Sequence, residues 1–128
     1  MSHEDIETLR LGYEAGSRGD WDGVLDGMHP NVVWKTVRSG TYQGHEEVRR
    51  FFADMTAAFE DVVFEPEEFF ERGDQIVVFL RQRARPSGAG AVIENRVGHL
   101  WTVRDGKAVR CETFPRREEA LEAAGLRE

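Results

Sequence analysis

Gly98-His99-Leu100-Trp101-Thr102-Val103-Arg104-Asp105-Gly106-Lys107-Ala108-Val109-Arg110-Cys111-Glu112-Thr113-Phe114 reads as two strands joined by a tight turn. Asp-Gly between two alternating runs is the strongest short-range hairpin signal, because both central residues of the favoured turn take positive φ. With Asp105 and Gly106 as those residues, Arg104 faces Lys107. Counting back from there sets Trp101 opposite Arg110, His99 opposite Glu112 and Val97 opposite Phe114. Every second residue of a strand points the same way, so all six share one face. Gly98, Leu100, Thr102, Val109, Cys111 and Thr113 fall on the other. This register predicts a His99–Glu112 pair and puts Cys111 away from His99.

Outward from the hairpin, the period stays at two. Residues 62–70, 75–85 and 91–104 alternate like strands, with Gly73-Asp74 and Pro86-Ser87-Gly88-Ala89-Gly90 as the turns between them. Before residue 60 the period is helical. Val48, Phe51, Phe52, Met55 and Phe59 recur at i, i+3, i+4, i+7 and i+11, predicting a helix over 45–59. Ser2 and Asp5 form a capping-box pattern ahead of Ile6, Leu9 and Tyr13, which share a helix face. Asp20 caps a second short helix through Met28, and His29-Pro30-Asn31 breaks it. Residues 32–38 read as a strand. Residues 117–124 form a last helix, stopped at Gly125, with Leu126 placed for the hydrophobic contact that follows a glycine cap. Helices first and consecutive strands later indicate one α+β domain over residues 1–128, not a parallel nucleotide-binding sheet.

The 128 residues carry 17 basic and 24 acidic side chains, a formal charge of −7. Such a balance argues against a nucleic-acid backbone as partner. Apolar residues make up 40%, enough for a real core, and no apolar run is long enough to span a membrane. One cysteine excludes an internal disulfide and a cysteine-rich zinc site. The acidic start is unlike a signal peptide, so a cytoplasmic location is expected. No pair of histidines has ligand spacing on one element, so no metal is expected.

Tyr13-Glu14-Ala15, Gly19-Asp20-Trp21-Asp22 and Gly44-His45-Glu46-Glu47-Val48-Arg49-Arg50-Phe51-Phe52 together resemble the SnoaL-like branch of the NTF2-like superfamily. So do Gly98-His99-Leu100-Trp101, Asp105-Gly106-Lys107 and the tail from Glu119 to Leu126. The resemblance covers nearly the whole chain. It implies a cone of three to four helices on a curved, antiparallel or mixed sheet, a pocket at its mouth, and usually a homodimer. It does not imply one activity, since relatives include ketosteroid isomerases, polyketide cyclases, dehydratases, epoxide hydrolases and proteins without chemistry. In the isomerase-like relatives a base aspartate stands where this chain has Thr36. In many cyclase-like relatives an aspartate precedes the last helix, where this chain has Arg116. A second acid of the isomerases aligns with His99, and their first-helix tyrosine lies one residue off Tyr13.

The candidate catalytic residues are therefore His99, as acid/base near neutral pH, and Glu112, as the carboxylate orienting its ring. Tyr13, Trp34, Thr36, Phe52, Met55, Trp101, Arg110 and Phe114 are the candidate ligand-binding residues. The implied function is a pocket for a small apolar, oxygenated molecule, with cofactor-free acid–base chemistry of the isomerase, cyclase or dehydratase kind. The alternatives are a non-catalytic ligand-binding dimer, with His99–Glu112 as structure, and an association module whose cone is filled by its own aromatics. Arg81, Arg83 and Arg85 share a strand face that fits an anion, solvent or a dimer partner. Leu100, Thr102 and Val109 form an apolar patch on the second sheet face, which predicts a homodimer through the sheet.

Overall fold

The computed structural model describes residues 2–88 and 90–126, without the side chain of Ser2. The elements are α1 (Ser2–Ser17), α2 (Trp21–Asp26), β1 (Met28–Lys35), β2 (Thr41–Gln43), α3 (Gly44–Ala58), β3 (Phe59–Arg72), β4 (Gln75–Pro86), β5 (Ile93–Arg104), β6 (Lys107–Phe114) and α4 (Arg117–Ala123). The expected cap by Ser2 and the turn residue Ala89 lie outside the described residues. One six-stranded sheet runs in the order β2-β1-β6-β5-β4-β3. Only β1 and β6 pair in parallel; the other neighbours are antiparallel. The result is the expected α+β cone with a mixed sheet.

Local chemistry explains most boundaries. Asp20 caps α2 by accepting from Gly23 N at 3.0 Å, after Gly19 turns the chain at φ 74°. Glu47 in the first turn of α3 accepts from Gln43 N at 2.8 Å. His45 Nε2 donates to Met28 O at 2.9 Å, tying that helix start to β1. β2 was not expected, because three residues are too few to show a period. The break expected at His29-Pro30-Asn31 is not a loop but an irregularity inside β1, where the register against β6 shifts between Met28 and Val33.

The Asp105-Gly106 turn forms as the sequence predicts, with φ 51° and 77° and Arg104 opposite Lys107. The register beyond it does not. Val103 pairs with Ala108 but Thr102 pairs with Arg110, so Val109 is an extra residue on β6. This β-bulge moves every later residue of β6 to the other face. Trp101 now faces Cys111, His99 faces Thr113 and Leu100 faces Glu112. The physical reason is charge: the unbulged register would drive Arg110 and Glu112 into the core, a costly desolvation. With the bulge, fully buried Cys111 joins Trp34 and Trp101 in the core, while Arg110 and Glu112 point outward.

The main core lies between the sheet's inner face and α1–α3, with Val32, Val48, Ile76, Val78 and Leu80 at its centre. A second cluster lies on the outer face. There Ala120 and Leu121 of α4 and its C-cap Ala124 cover Val77, Phe79 and Leu100, with Phe70, Phe114 and Leu126 at the edge. The end of α4 follows the glycine-stop pattern: Gly125 has φ 74°, and Leu126 N donates to Leu121 O at 2.8 Å. This corrects the patch argument for a dimer. Leu100 is 5% and Thr102 8% exposed within one chain, so neither needs a partner to leave water. The arginine stripe is likewise paired within the chain: Arg81 with Glu65 and Glu94, Arg83 with Glu65, and Arg85 with Glu60 and Asp61.

Gly98 is what lets α4 sit so close. A Cβ there would lie 2.9 Å from Ala120 Cβ and 3.3 Å from the Phe79 ring. Gly98→Ala is expected to push α4 off β5 and to cost about 1–2 kcal/mol of stability, as overpacking does. Urea denaturation checks this, and an unchanged midpoint would show that the helix yields freely.

Candidate functional site

A cavity of about 320 Å³ opens between α1–α3 and the inner sheet face. Its polar floor is built from two elements. The α1 periodicity aims Tyr13 inward, and β5 presents His99 and Trp101 two positions apart on the inner face. Trp101 Nε1 donates to Tyr13 Oη at 2.8 Å, and Tyr13 Oη lies 2.7 Å from His99 Nδ1. Indole nitrogen can only donate. Tyr13 Oη therefore accepts from Trp101, and its own buried proton finds an acceptor at His99 Nδ1. The opposite tautomer would leave that hydroxyl proton without a partner, at about 1–3 kcal/mol. The assignment follows from this count of donors, and it puts the ring proton of His99 on Nε2.

His99 Nε2 has no hydrogen-bond partner among the described residues. It is also not among their enclosed, unpartnered atoms, where Arg83 Nε stands alone, so it meets the open space of the cavity. Burial lowers the pKa of His99 to about 3, because an imidazolium would lose its hydration there. The ring is neutral at pH 7. Burial pushes the Tyr13 phenol well above its ordinary value, a shift that nearby Cys111 reinforces and the Trp101 hydrogen bond opposes. Neither group is a strong base or a strong acid. Together they are a neutral donor held in one orientation.

Aromatic rings wall the cavity. Trp34 stands edge-on to His99, Trp101 and Phe52, with centroids 5.3, 5.3 and 5.4 Å away. Trp21 stacks on Phe52 at 4.8 Å, and Met55 and Phe51 complete that side. All three tryptophans of the chain line the space. The lining also carries polar side chains: Arg38, Ser39 and Asn95 are exposed, Thr36 and Gln82 half-buried, and half-buried Thr113 lies directly across from His99.

Of the residues singled out in the sequence, Tyr13, Trp34, Thr36, Phe52, Met55, His99 and Trp101 come together around this cavity. Glu112, Arg110 and Phe114 do not. The bulge sends Glu112 outward, where its carboxylate meets Lys35 at 3.5 Å and Arg110 at 3.9 Å. The expected His99–Glu112 pair is therefore absent, and Tyr13 takes the place beside the ring. Phe114 packs with α4 in the outer cluster. Cys111 lies on the inner face after all, and burial raises its thiol pKa well above the ordinary value. Arg116 is exposed ahead of α4. Among the described lining residues there is no aspartate or glutamate.

The sequence held a signal for the missed register. Ala108-Val109 puts two apolar residues side by side before the alternation Arg110-Cys111-Glu112-Thr113 resumes. Such a doublet in an alternating run is where a bulge restores apolar-in, polar-out. Arg38, Gln82 and Asn95 carried no such signal, because nothing local shows that their segments meet at one opening.

Residues 9–111 match the model of the SnoaL-like domain family. Among solved structures, TerC co-crystallised with polyporic acid is 32% identical, with 88% of this chain and 92% of that one covered and a TM-score of 0.80. An NTF2-like protein from Burkholderia pseudomallei is 30% identical over 95% of this chain and 97% of that one, with a TM-score of 0.82. A SnoaL-like polyketide cyclase candidate from Jannaschia sp. CCS1, 21% identical over 88% and 85%, shares the fold at a TM-score of 0.76. No curated protein matches the chain. With a cone whose inner sheet face carries the site, and a family match spanning α1 to β6, this chain belongs to the SnoaL-like domain family.

Proposed function

We propose that the protein takes an apolar, oxygen-bearing small molecule into the cavity and holds its carbonyl oxygen on His99 Nε2–H. One observation carries this reading: the Trp101–Tyr13–His99 chain fixes the tautomer and turns the Nε2–H of a neutral imidazole to an aromatic-walled space. A neutral imidazole is suited to polarise a carbonyl, because it stabilises charge growing on oxygen without first giving up a proton. Cofactor-free isomerisation, cyclisation or dehydration would draw on that polarisation, with the proton taken by water or by the ligand itself. The absence of a carboxylate among the described lining residues favours a second reading, a binder that holds such a molecule without turning it over. Turnover of a co-purified ligand, followed by mass spectrometry, separates the two. A homodimer belongs to the proposal through the family resemblance alone; sedimentation at 14.6 kDa would remove it.

The donor role has its own test. Asparagine places an amide oxygen near the position of Nδ1, so His99→Asn keeps an acceptor for Tyr13 and loses the cavity donor. Glutamine places a nitrogen near Nε2, so His99→Gln keeps the donor. Hexanophenone, an apolar aryl ketone, is expected to shift the indole resonances of Trp21, Trp34 and Trp101. Its affinity is expected to fall about threefold to tenfold in His99→Asn, the range of one net hydrogen bond, and less in His99→Gln. Equal binding to wild type and His99→Asn would remove His99 as the donor.

A further inference from the structure

The described lining of the cavity contains one permanent charge. Among the described residues around it, Arg38 is the only lysine, arginine, aspartate or glutamate. It stands on the segment between β1 and β2, and that segment is held. Thr36 N donates to Gly40 O at 2.9 Å, Thr36 Oγ1 donates to the same carbonyl at 2.7 Å, and Ser39 N donates to Thr36 Oγ1 at 3.0 Å. Gly40 closes this turn at φ 99°. Arg38 is thus presented by an internally bonded turn at the mouth.

Among the described residues Arg38 is also without a carboxylate partner, unlike most arginines there. Arg49, Arg81, Arg85, Arg96, Arg104 and Arg117 each reach a carboxylate within 3.5 Å. Arg38 has no hydrogen bond or ion pair among the described residues, although the chain carries seven more acids than bases. An acidic protein repels anions at long range, beyond which a local cation is needed to admit one. The floor offers no such charge, because His99 is neutral and its neighbours are aromatic rings and Thr113.

On the reading above, that the cavity holds a carbonyl-bearing apolar molecule, we propose that Arg38 recognises an anionic group at the outer end of that molecule. The ligand class is then an amphipathic acid. Its apolar body lies among the tryptophans, its neutral oxygen meets His99, and its carboxylate or equivalent anion stays at the mouth, partly in water. The reverse orientation would bury an anion against neutral donors at a large desolvation cost. The register sets the scale. Lys35 pairs with Glu112 and Glu112 with Leu100, so β1 ends one row from His99 and two strand spacings, about 10 Å, across the sheet, and Arg38 follows three residues later. A flexible chain of a few methylenes between carbonyl and carboxylate spans such a gap.

The test compares 6-oxo-6-phenylhexanoate with its methyl ester, following the three indole resonances. Wild type is expected to bind the acid about tenfold tighter than the ester, the effect of one charge-assisted hydrogen bond. In Arg38→Ala the acid is expected to weaken to the level of the ester while the ester is unmoved, and Arg38→Lys should retain part of the preference. Equal binding of acid and ester to wild type would overturn the inference while leaving the pocket reading intact. So would an Arg38→Ala variant that weakens both to the same degree. Failure of both compounds and of hexanophenone to bind would overturn the pocket reading itself, and this inference with it.

Discussion

Between pH 6.5 and 5 the protein is expected to lose about 2 kcal/mol of stability through His99 alone. In the unfolded chain this ring takes up a proton near pH 6.5; in the folded protein burial holds its pKa at about 3. Below pH 6.5 the unfolded state binds the proton and the folded state does not, so each unit of acidification favours unfolding by about 1.4 kcal/mol. Stability is fully present above the unfolded pKa and is lost as pH falls toward the folded one. Across the whole window the loss approaches about 5 kcal/mol, a large part of the ~5–15 kcal/mol that a domain of this kind possesses. The upper part of the window is the informative one, since ordinary carboxylates titrate below it. Urea denaturation of wild type and His99→Gln at pH 7, 6.5, 5.5 and 5 checks the slope. Wild type should decline and the variant should lie flatter, whatever its offset at pH 7. A His99 ring that titrates by NMR near pH 6.5 in the folded protein would refute the burial argument outright.

The same burial explains which part of the site was legible in the sequence and which was not. The inner face of β5 was readable, because Ile93, Val97, Trp101 and Val103 are more apolar than Val92, Glu94, Arg96 and Thr102 and His99 lies among them, although Ile93 itself is exposed. Tyr13 was readable as an inward residue of α1, since Ile6, Leu9 and Tyr13 share a stripe. Helix α3, the long strands, the Asp105-Gly106 turn and the glycine stop of α4 came from local chemistry that acts over four to seven residues. The partner of His99 did not, because one bulged residue in β6 exchanges a whole face of the strand. A two-residue turn fixes register only until the first irregularity. Here that irregularity, Val109, sits three positions past Gly106 and next to Ala108, which donates to Gly27 O at 2.8 Å at the start of the parallel pairing with β1. The contact that breaks the pattern is with a strand more than seventy residues earlier in the chain. No hairpin rule contains it.

The parallel β1–β6 contact also decides the character of the site. Trp34 pairs with Cys111 and Cys111 with Trp101, so three inner-face residues line up across three strands. This row fills the space where an inward Arg110 would have stood. What remains beside His99 is aromatic surface, one phenol and the hydroxyl side chain of Thr113 across the strand pair. A histidine with a carboxylate behind it would have been drawn toward its charged form; a histidine behind a phenol stays neutral. The bulge therefore turns an expected proton-transfer pair into a fixed hydrogen-bond donor.

Tyr13→Phe is the substitution expected to expose that arrangement. It retains the ring contacts of Tyr13 with His99 and Trp101, at 5.8 and 6.2 Å between centroids, and removes only the hydroxyl. Trp101 Nε1 then has no acceptor and His99 Nδ1 no donor, in residues 4% and 3% exposed. Each stranded polar group costs about 1–3 kcal/mol, so a loss of about 3 kcal/mol is expected for the pair. Most of the loss should come from polar groups left behind, since the volume removed is small. A double variant separates the contributions: with Trp101→Phe also in place, the added cost of Tyr13→Phe should fall by about 1–2 kcal/mol, because one of the stranded groups no longer exists. The variant should also release the tautomer of His99. Ring ¹⁵N shifts of wild type are expected to show Nδ1 unprotonated and Nε2 protonated, and those of Tyr13→Phe a mixture. Hexanophenone affinity should fall with the share of Nε2–H that is lost. A Tyr13→Phe protein as stable as wild type, with the ring in one unchanged tautomer, would mean that the hydroxyl neither holds the indole nor orients the imidazole, and the case for His99 as a positioned donor would end there.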